Sequence, residues 1–218
     1  MHFEILAEDA SGRLILDAIL PKILGAQGNP HSYRCHAYKG MGHVPKDLRP
    51  GTDARKRILL DQLPRILQGY GKSLGSQAAS VVVVVDQDRR DCKQLKAEML
   101  EVLQTCHPRP ETLFRIAIEE VEAWLLGDRA AIEAAYPRAK SRVLDRYVQD
   151  SICDTWEMLA DGIYPGGASS LKREGHPRIG QVKCAWAERI APLMEPNLNA
   201  SKSFQTFRDG IRRLAGIS

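Results

Sequence analysis

Two aspartates, Asp86 and Asp88, directly follow a run of five valines at residues 81–85. Side chains along a strand alternate between its two faces, so acids two residues apart are expected on the same side, roughly 7 Å apart at Cα. At that spacing both carboxylates can bind one hard cation through oxygen ligands. The pair therefore predicts a magnesium site, and magnesium is typical of phosphoryl chemistry.

The valine run also predicts the element that positions these acids. Apolar β-branched residues on both faces are typical of a central strand in a parallel sheet that is covered by helices. Another strand is predicted at residues 3–7 and is followed by Glu8. Ligands of such sheets bind outside the carboxyl ends of the strands. Glu8, Asp86 and Asp88 are therefore expected to converge if the two strands are neighbours.

A cluster of three carboxylates needs compensation. Two like charges about 4 Å apart repel by roughly 4 kcal/mol at an effective dielectric near 20, so the cluster requires a cation, a shared proton or a basic neighbour. The alternative is that these acids are solvated loop residues, because aspartate is common where strands end in turns. Spacing alone favours neither interpretation.

The order of predicted elements indicates an α/β fold: a mainly parallel sheet with flanking helices, plus a helical C-terminal extension. The predicted division places the α/β core at residues 1–127 and the extension, packed on the core, at residues 128–218. In the core, strands are predicted at 3–7, 33–38, 81–85 and 113–118, with helices at 11–24, from near Thr52, and at about 92–103. In the extension, helices are predicted around 130–135, 152–160, 181–193 and 203–214, with a Gly/Ser/Pro-rich loop at 164–180.

Composition predicts a cytoplasmic protein that is not inserted in a membrane. The chain has 218 residues and a net charge of +4, and no apolar run approaches the roughly 20 residues that a membrane span needs. Its first residues lack the basic start and cleavage site of a signal peptide. Five scattered cysteines without a CxxC pair argue against a disulfide framework and favour a reducing compartment.

The acidic pattern resembles that of a known family. A lone glutamate after the first strand and a hydrophobic strand ending in Asp-x-Asp look like the Toprim domain of topoisomerases, primases and overcoming-lysogenization-defect nucleases. More narrowly, several segments resemble the Toprim-like domain-of-unknown-function family 4276. They are spread over nearly the whole chain: Tyr38-Lys39-Gly40, Leu59-Leu60-Asp61-Gln62-Leu63-Pro64, Gly69-Tyr70-Gly71-Lys72, Val85-Asp86-Gln87-Asp88-Arg89-Arg90-Asp91-Cys92, Glu122-Ala123-Trp124-Leu125-Leu126-Gly127-Asp128 and Asn199-Ala200-Ser201-Lys202-Ser203-Phe204.

This resemblance implies a Toprim-like fold and a nuclease that cleaves phosphodiester bonds with Mg²⁺, or with Mn²⁺. It also implies an ATPase protein partner and a role in bacterial antiviral defence. Asp86 and Asp88 would hold the cation, and Glu8 would complete its shell or transfer a proton.

The chain departs from the Toprim pattern directly after the glutamate. That residue is usually followed by glycine and soon by another acid, whereas this chain has Glu8-Asp9-Ala10-Ser11-Gly12. The departure keeps a second hypothesis open, namely a catalytically inactive nucleic-acid-binding or regulatory subunit of an ATPase complex. A third hypothesis is a nucleotidyl- or phosphotransferase that acts on a small nucleotide with the same carboxylates.

Two further acids follow the strand predicted at 113–118. Glu119 and Glu122 are one helical turn apart and could extend the acidic cluster. Glu122 belongs to the family-like Glu-Ala-Trp segment and is therefore a candidate metal ligand. The alternative for both is the ordinary preference of acids for a helix N-terminus. Trp124 is expected in the core.

Basic residues are concentrated at 34–57, a segment that contains seven lysines and arginines but only two aspartates. A basic, glycine-containing loop near an acidic metal site is suited to hold a polyanion backbone. The candidate nucleic-acid-binding residues are Lys39, Lys46, Arg55 and Arg89. The alternative is a solvated charged surface. A homo-oligomer is compatible with the sequence.

The segment Gly69-Tyr70-Gly71-Lys72-Ser73 superficially resembles a phosphate-binding P-loop. That motif requires a glycine where Ile66 stands and a strand before the loop. We therefore interpret the segment as the exit of a helix and predict no nucleotide cofactor there.

Overall fold

The computed structural model describes residues 1–46, 49, 53–75, 77–151 and 154–217. Its centre is a sheet of four parallel strands in the order β2-β1-β3-β4. The strands are β1 (His2–Ala7), β2 (Ser32–Ala37), β3 (Ala79–Asp86) and β4 (Thr112–Ala117). The condition under which Glu8 and Asp86 were expected to converge is met, because β1 pairs with β3.

Strand β3 owes its central position to its valines. All eight of its residues are buried. Val82 and Val84 pack with β1 and helix α1 (Ala10–Leu24) in one hydrophobic cluster, whereas Val81, Val83 and Val85 pack in a second cluster on the opposite face. Burial on both faces is what the uninterrupted β-branched run predicted.

Helices cover both faces of the sheet, and the predicted α/β class with C-terminal helices is confirmed. The second cluster is closed by α2 (Leu59–Leu74) and α3 (Cys92–Gln104). After β4 the chain is helical: α4 (Glu122–Leu126), α5 (Arg129–Ala135), α6 (Ser141–Leu144), α7 (Thr155–Ile163), α8 (Gly167–Glu174), α9 (His176–Ile190) and α10 (Lys202–Ala215), with short 3-10 turns at Ala54–Lys56 and Ala191–Leu193.

Three local predictions are wrong or fall outside the description. Helix α2 begins at Leu59 with Ile58 as its N-cap, and Thr52 lies outside the described residues. The segment 69–73 is not a helix exit, because α2 continues through it to Leu74. The loop predicted at 164–180 contains α8 and the start of α9, because Ala168 and Leu171 are buried in the core and favour a helix over the glycine-rich composition.

The C-terminal helices share the core of the α/β part. Helix α9 packs against α1, and α10 packs against β4. Trp124 of α4 is fully buried, as expected. Its ring lies 5.0 Å from that of Phe207 and 5.5 Å from that of Phe204, and its indole N–H donates to Ser203 Oγ at 2.9 Å. The division at residues 127 and 128 stays a prediction. None of the described helices has the length and apolar character needed to cross a bilayer.

Candidate active site

The acids at the carboxyl end of the sheet are positioned by hydrogen bonds between neighbouring strands. Ala7 is level with Val84, so Glu8 follows β1 one residue short of the level of Asp86 on the neighbouring strand. Beyond β3, the amide of Gln87 donates to Ala117 O at 2.9 Å and that of Asp88 donates to Glu119 O at 2.9 Å. The chain that carries Asp88 is therefore tied to the end of β4.

The expectation that Asp86 and Asp88 lie on the same side of one strand is wrong. Strand β3 ends at Asp86, and Asp88 has a φ of 51°, in the left-handed region. Asp86 is 6% exposed, whereas Asp88 is exposed. Alternation holds only while the strand continues, so it does not apply to Asp88.

Glu8 connects the two aspartates. Its Oε2 accepts a hydrogen bond from the amide of Asp86 at 3.0 Å. Burial, together with the carboxylates of Asp88 and Asp9, raises the pKa of Glu8 to about 7, against the opposing effects of the Asp86 amide and Lys183. A carboxyl group with a pKa near 7 can both donate and accept a proton at neutral pH.

Asp86 is held inside the wall of the site. Its Oδ1 accepts from the amide of Val121 at 3.0 Å. Burial raises the pKa of Asp86 well above its ordinary value, and the nearby carboxylates of Glu8, Glu122 and Glu120 add to the shift, against the opposing effect of Lys183.

A lysine from α9 lies among these acids. Lys183 Nζ is 3.0 Å from Glu122 Oε2 and 3.6 Å from Glu120 Oε1. Glu122 is fully buried, and Ser11 Oγ also donates to it at 3.3 Å. Burial lowers the pKa of Lys183, but the surrounding carboxylates outweigh that effect and the pKa is raised well above its ordinary value.

Sequence reasoning gave no role to Lys183 or to Glu120. Burial, together with the carboxylate of Glu122, raises the pKa of Glu120 to about 8, against the opposing effect of Lys183. Glu120 stands between Glu119 and Glu122 in the sequence, so a signal was present. Lys183 is distant from these acids in the chain.

Glu119 has a structural role outside the acidic cluster. Its carboxylate accepts the amides of Asp154 and Thr155 at 2.7 Å each and the hydroxyl of Thr155. It therefore satisfies free N–H groups at the start of α7. Glu119 thus lies at a helix N-terminus, although the helix is α7 and not the one that directly follows it, and its place in the acidic cluster stays a prediction.

A cavity of about 610 Å³ opens at this end of the sheet. Its acidic wall includes Glu8, Asp88 and Glu120, and its basic wall includes Arg89 and Arg90. Asp86 and Glu122 are buried and contribute little exposed surface. We call this space the acidic cavity.

The predicted nucleic-acid-binding residues lie at different places. Arg89 lines the acidic cavity. Lys39 is exposed on a loop that is fixed next to the site, because the amide of Gly40 donates to Glu8 O at 3.0 Å. Lys46 and Arg55 are exposed, and the described contacts do not bring them to the acidic cavity.

The donor chemistry of the cluster fits a hard divalent cation. Glu8, Asp86, Asp88, Glu120 and Glu122 supply oxygen ligands, which Mg²⁺ prefers, and Glu120 Oε2 is buried without a hydrogen-bond partner among the described residues. In the described part of the chain, no group of three or more His, Cys, Asp or Glu side chains is already gathered as a ligand set. The residues thus fit the ion by chemistry, and the described side-chain positions are not a finished coordination shell.

The structure is similar to the C-terminal region of the Xanthomonas campestris pv. campestris OLD protein. The TM-score is 0.43 and the sequence identity 15%, covering 98% of this chain and 93% of that chain. No family model and no curated protein matches the chain. A similarity at this level does not extend to individual residues, so the candidate site rests on its own geometry.

Proposed function

We propose that the chain is a magnesium-dependent nuclease of the Toprim type that hydrolyses phosphodiester bonds. The observation that carries this proposal is the contact between the Asp86 amide and Glu8 Oε2 at the mouth of the acidic cavity, with Asp88 beside them. Acids brought together at the carboxyl ends of neighbouring parallel strands are placed where such sheets bind ligands.

In this proposal Glu8, Asp86 and Asp88 would hold the cation, with Glu122 and Glu120 as further acids of the same cluster. The cation would supply Lewis-acid polarisation of the phosphoryl group. As the alternative to completing the cation's shell, Glu8, with a pKa of about 7, would move a proton at the attacking or leaving oxygen. Arg89 and Lys39 would position the phosphate backbone by charge.

The family resemblance adds a biological setting to the proposal. An ATPase partner and a role in bacterial antiviral defence are what that resemblance implies, and we propose both for this chain. Co-purification of the chain with the product of a neighbouring ATPase gene would test the partnership directly.

The test is the double variant Asp86→Asn/Asp88→Asn, assayed on labelled single-stranded and duplex DNA and RNA with and without Mg²⁺. Cleavage should disappear while the circular dichroism spectrum is unchanged, because asparagine retains the shape of each side chain and removes its charge. The matched control is Asp17→Asn, which removes an exposed carboxylate paired with Arg13 on α1. Equal cleavage by the double variant and the control would rule out the assignment.

A second function is favoured by two observations. Asp86 Oδ1 is already engaged by the Val121 amide, and the described acids do not form a ready ligand set. A nucleic-acid-binding or regulatory subunit without catalysis would have this arrangement. Calorimetry distinguishes the two functions: nucleic-acid binding without any binding of Mg²⁺ or Mn²⁺ at millimolar concentration would favour the second one.

A further inference from the structure

A second cavity, of about 400 Å³, lies between the end of β2 and one face of α2. We call it the tyrosine cavity. Its α2 residues recur every three or four positions, as expected for one face of a helix. The residues that line it include Tyr38, Arg57, Arg65, Ile66, Gly69 and Tyr70.

The two tyrosines are held in place by contacts on the protein side. Tyr70 Oη donates to Glu4 Oε2 at 3.2 Å. The guanidinium of Arg57 lies 5.7 Å from the ring centre of Tyr38, within the range of a cation–π contact. Aromatic rings with fixed orientation are suited to stack against a planar ligand, because no side-chain freedom is lost on binding.

The charge of the tyrosine cavity is positive. Arg65 is exposed and has no ion pair or hydrogen bond within the described ranges of the chain. The acid nearest to Tyr70, Glu4, is already engaged by His36 at 2.6 Å and by His2 at 3.2 Å, and its side chain is 14% exposed. Arg65 is therefore available for an anionic group of a ligand.

The tyrosine cavity and the acidic cavity are connected by one short loop. Tyr38 lines the first, and Met41, Gly42 and His43 line the second. Three residues span at most about 11 Å when fully extended. The same loop is fixed to the acidic site, since the amide of Gly40 donates to Glu8 O.

We propose that the tyrosine cavity binds one nucleotide of a single nucleic-acid strand, with the base against Tyr70 and Tyr38 and a phosphate at Arg65, while a neighbouring part of the strand reaches the acidic cavity. Base stacking on aromatic rings beside basic side chains is how single strands are bound without sequence preference. The inference rests on the proposed function for its second half only, because the nucleotide site itself requires no cleavage. A free mononucleotide has the same chemistry, and the experiment separates the two sources.

Gly69 offers a way to close the tyrosine cavity without removing any contact. A Cβ at Gly69 would meet no atom within 4 Å, and glycine is the poorest helix former after proline. Gly69→Leu should therefore fill the cavity and leave the melting temperature unchanged or raised. The matched control is Gly180→Leu, since Gly180 lies in α9, is exposed and also has open space around its Cβ.

Binding is measured by fluorescence anisotropy of a labelled single-stranded oligonucleotide of about 12 nucleotides, in EDTA so that cleavage cannot contribute. Gly69→Leu should weaken binding about 5- to 150-fold, the range that corresponds to the 1–3 kcal/mol of one base–aromatic stack. Gly180→Leu should bind like the wild type. Arg65→Gln should make the plot of the log of the association constant against the log of the salt concentration less steep by about 0.7, as expected for the loss of one phosphate contact to a single strand.

Each outcome decides the inference. Equal binding by Gly69→Leu and Gly180→Leu, or no binding of the oligonucleotide by the wild type, would overturn it. Adenosine monophosphate that binds as tightly as the oligonucleotide would overturn the strand assignment and leave a free-nucleotide site. A wild type that binds but does not cleave with Mg²⁺, together with a Gly69→Leu variant that has lost binding, would support the nucleotide site and refute the nuclease proposal.

Discussion

Replacing Lys183 with methionine removes the amine that pairs with Glu122 and Glu120 inside the protein. The Lys183 side chain is 12% exposed and that of Glu122 is 0% exposed. Removing one partner of a buried ion pair costs about 3–5 kcal/mol, because the other charge is left without compensation. For a chain of this length each kcal/mol lowers the melting temperature by about 2–4 °C, so the expected decrease is about 6–20 °C.

The assay is thermal unfolding followed by circular dichroism, with urea unfolding to measure the free energy of unfolding. The matched control is Lys172→Met, which removes an exposed lysine 2.9 Å from Glu157. Only the lysine of this pair is well exposed, at 54% against 17% for Glu157; because solvent reaches its amine, the pair should contribute at most about 1 kcal/mol and the control should lose no more than about 4 °C. Adding Glu122→Gln to Lys183→Met should recover part of the loss, because the remaining buried charge is removed.

A decrease for Lys183→Met no larger than that of Lys172→Met would refute this reasoning. It would mean that Glu122 is neutral in the native protein or that water reaches it. A double variant less stable than Lys183→Met alone would also contradict the argument, since it would show that Glu122 is needed for a reason other than its pairing with the lysine.

Two further predictions concern pH and glycine. Burial together with neighbouring acids raises the pKa of Glu8 to about 7 and that of Glu120 to about 8, from an ordinary 4.5. Between these values the folded protein binds more protons than the unfolded chain does. Its free energy of unfolding should therefore fall as the pH rises from 4.5 to 8. If the cluster binds Mg²⁺, the ion should raise the melting temperature more at pH 8 than at pH 5 in a fluorimetric scan, and an equal shift at both values would contradict this. A Cβ on Gly71 would collide with the carbonyl oxygen of Pro108, so Gly71→Ala should destabilise the protein by about 1–3 kcal/mol. Gly69→Ala, in open space on the same helix, should stabilise it by about 0.5–1 kcal/mol, and the same sign for both variants in urea unfolding would refute the packing argument.

The sheet could be predicted from local patterns because the residue types of its strands indicate whether each face is buried. The valines of β3 required apolar surroundings on both faces, and only a central strand provides them. Helix α8 could not be predicted in this way. It contains few apolar residues, and it is helical because Ala168 and Leu171 meet a core formed by distant parts of the chain.

The candidate site shows the same division between local and distant causes. The sequence placed Glu8 and Asp86 after strands, but their nearness depends on the pairing of β1 with β3, which the sequence left open. The exposed position of Asp88 depends on a left-handed residue and on a bond to Glu119 O, neither of which has a local signal. Lys183 reaches the acids because α9 packs on α1, a contact between residues far apart in the chain.

The acids of the cluster fall into two groups that differ in how their charge is balanced. Glu122 and Glu120 pair with Lys183, so the folded protein compensates part of their charge by itself, although Glu120 also lines the acidic cavity. Glu8 and Asp88 face the acidic cavity, and their mutual repulsion contributes to the raised pKa of Glu8. A stable protein gains nothing from placing uncompensated acids at the mouth of a cavity. Such an arrangement is typical of sites where stability is reduced in favour of function, and the side of the cluster that faces solvent is the side where a cation from solution would relieve the repulsion.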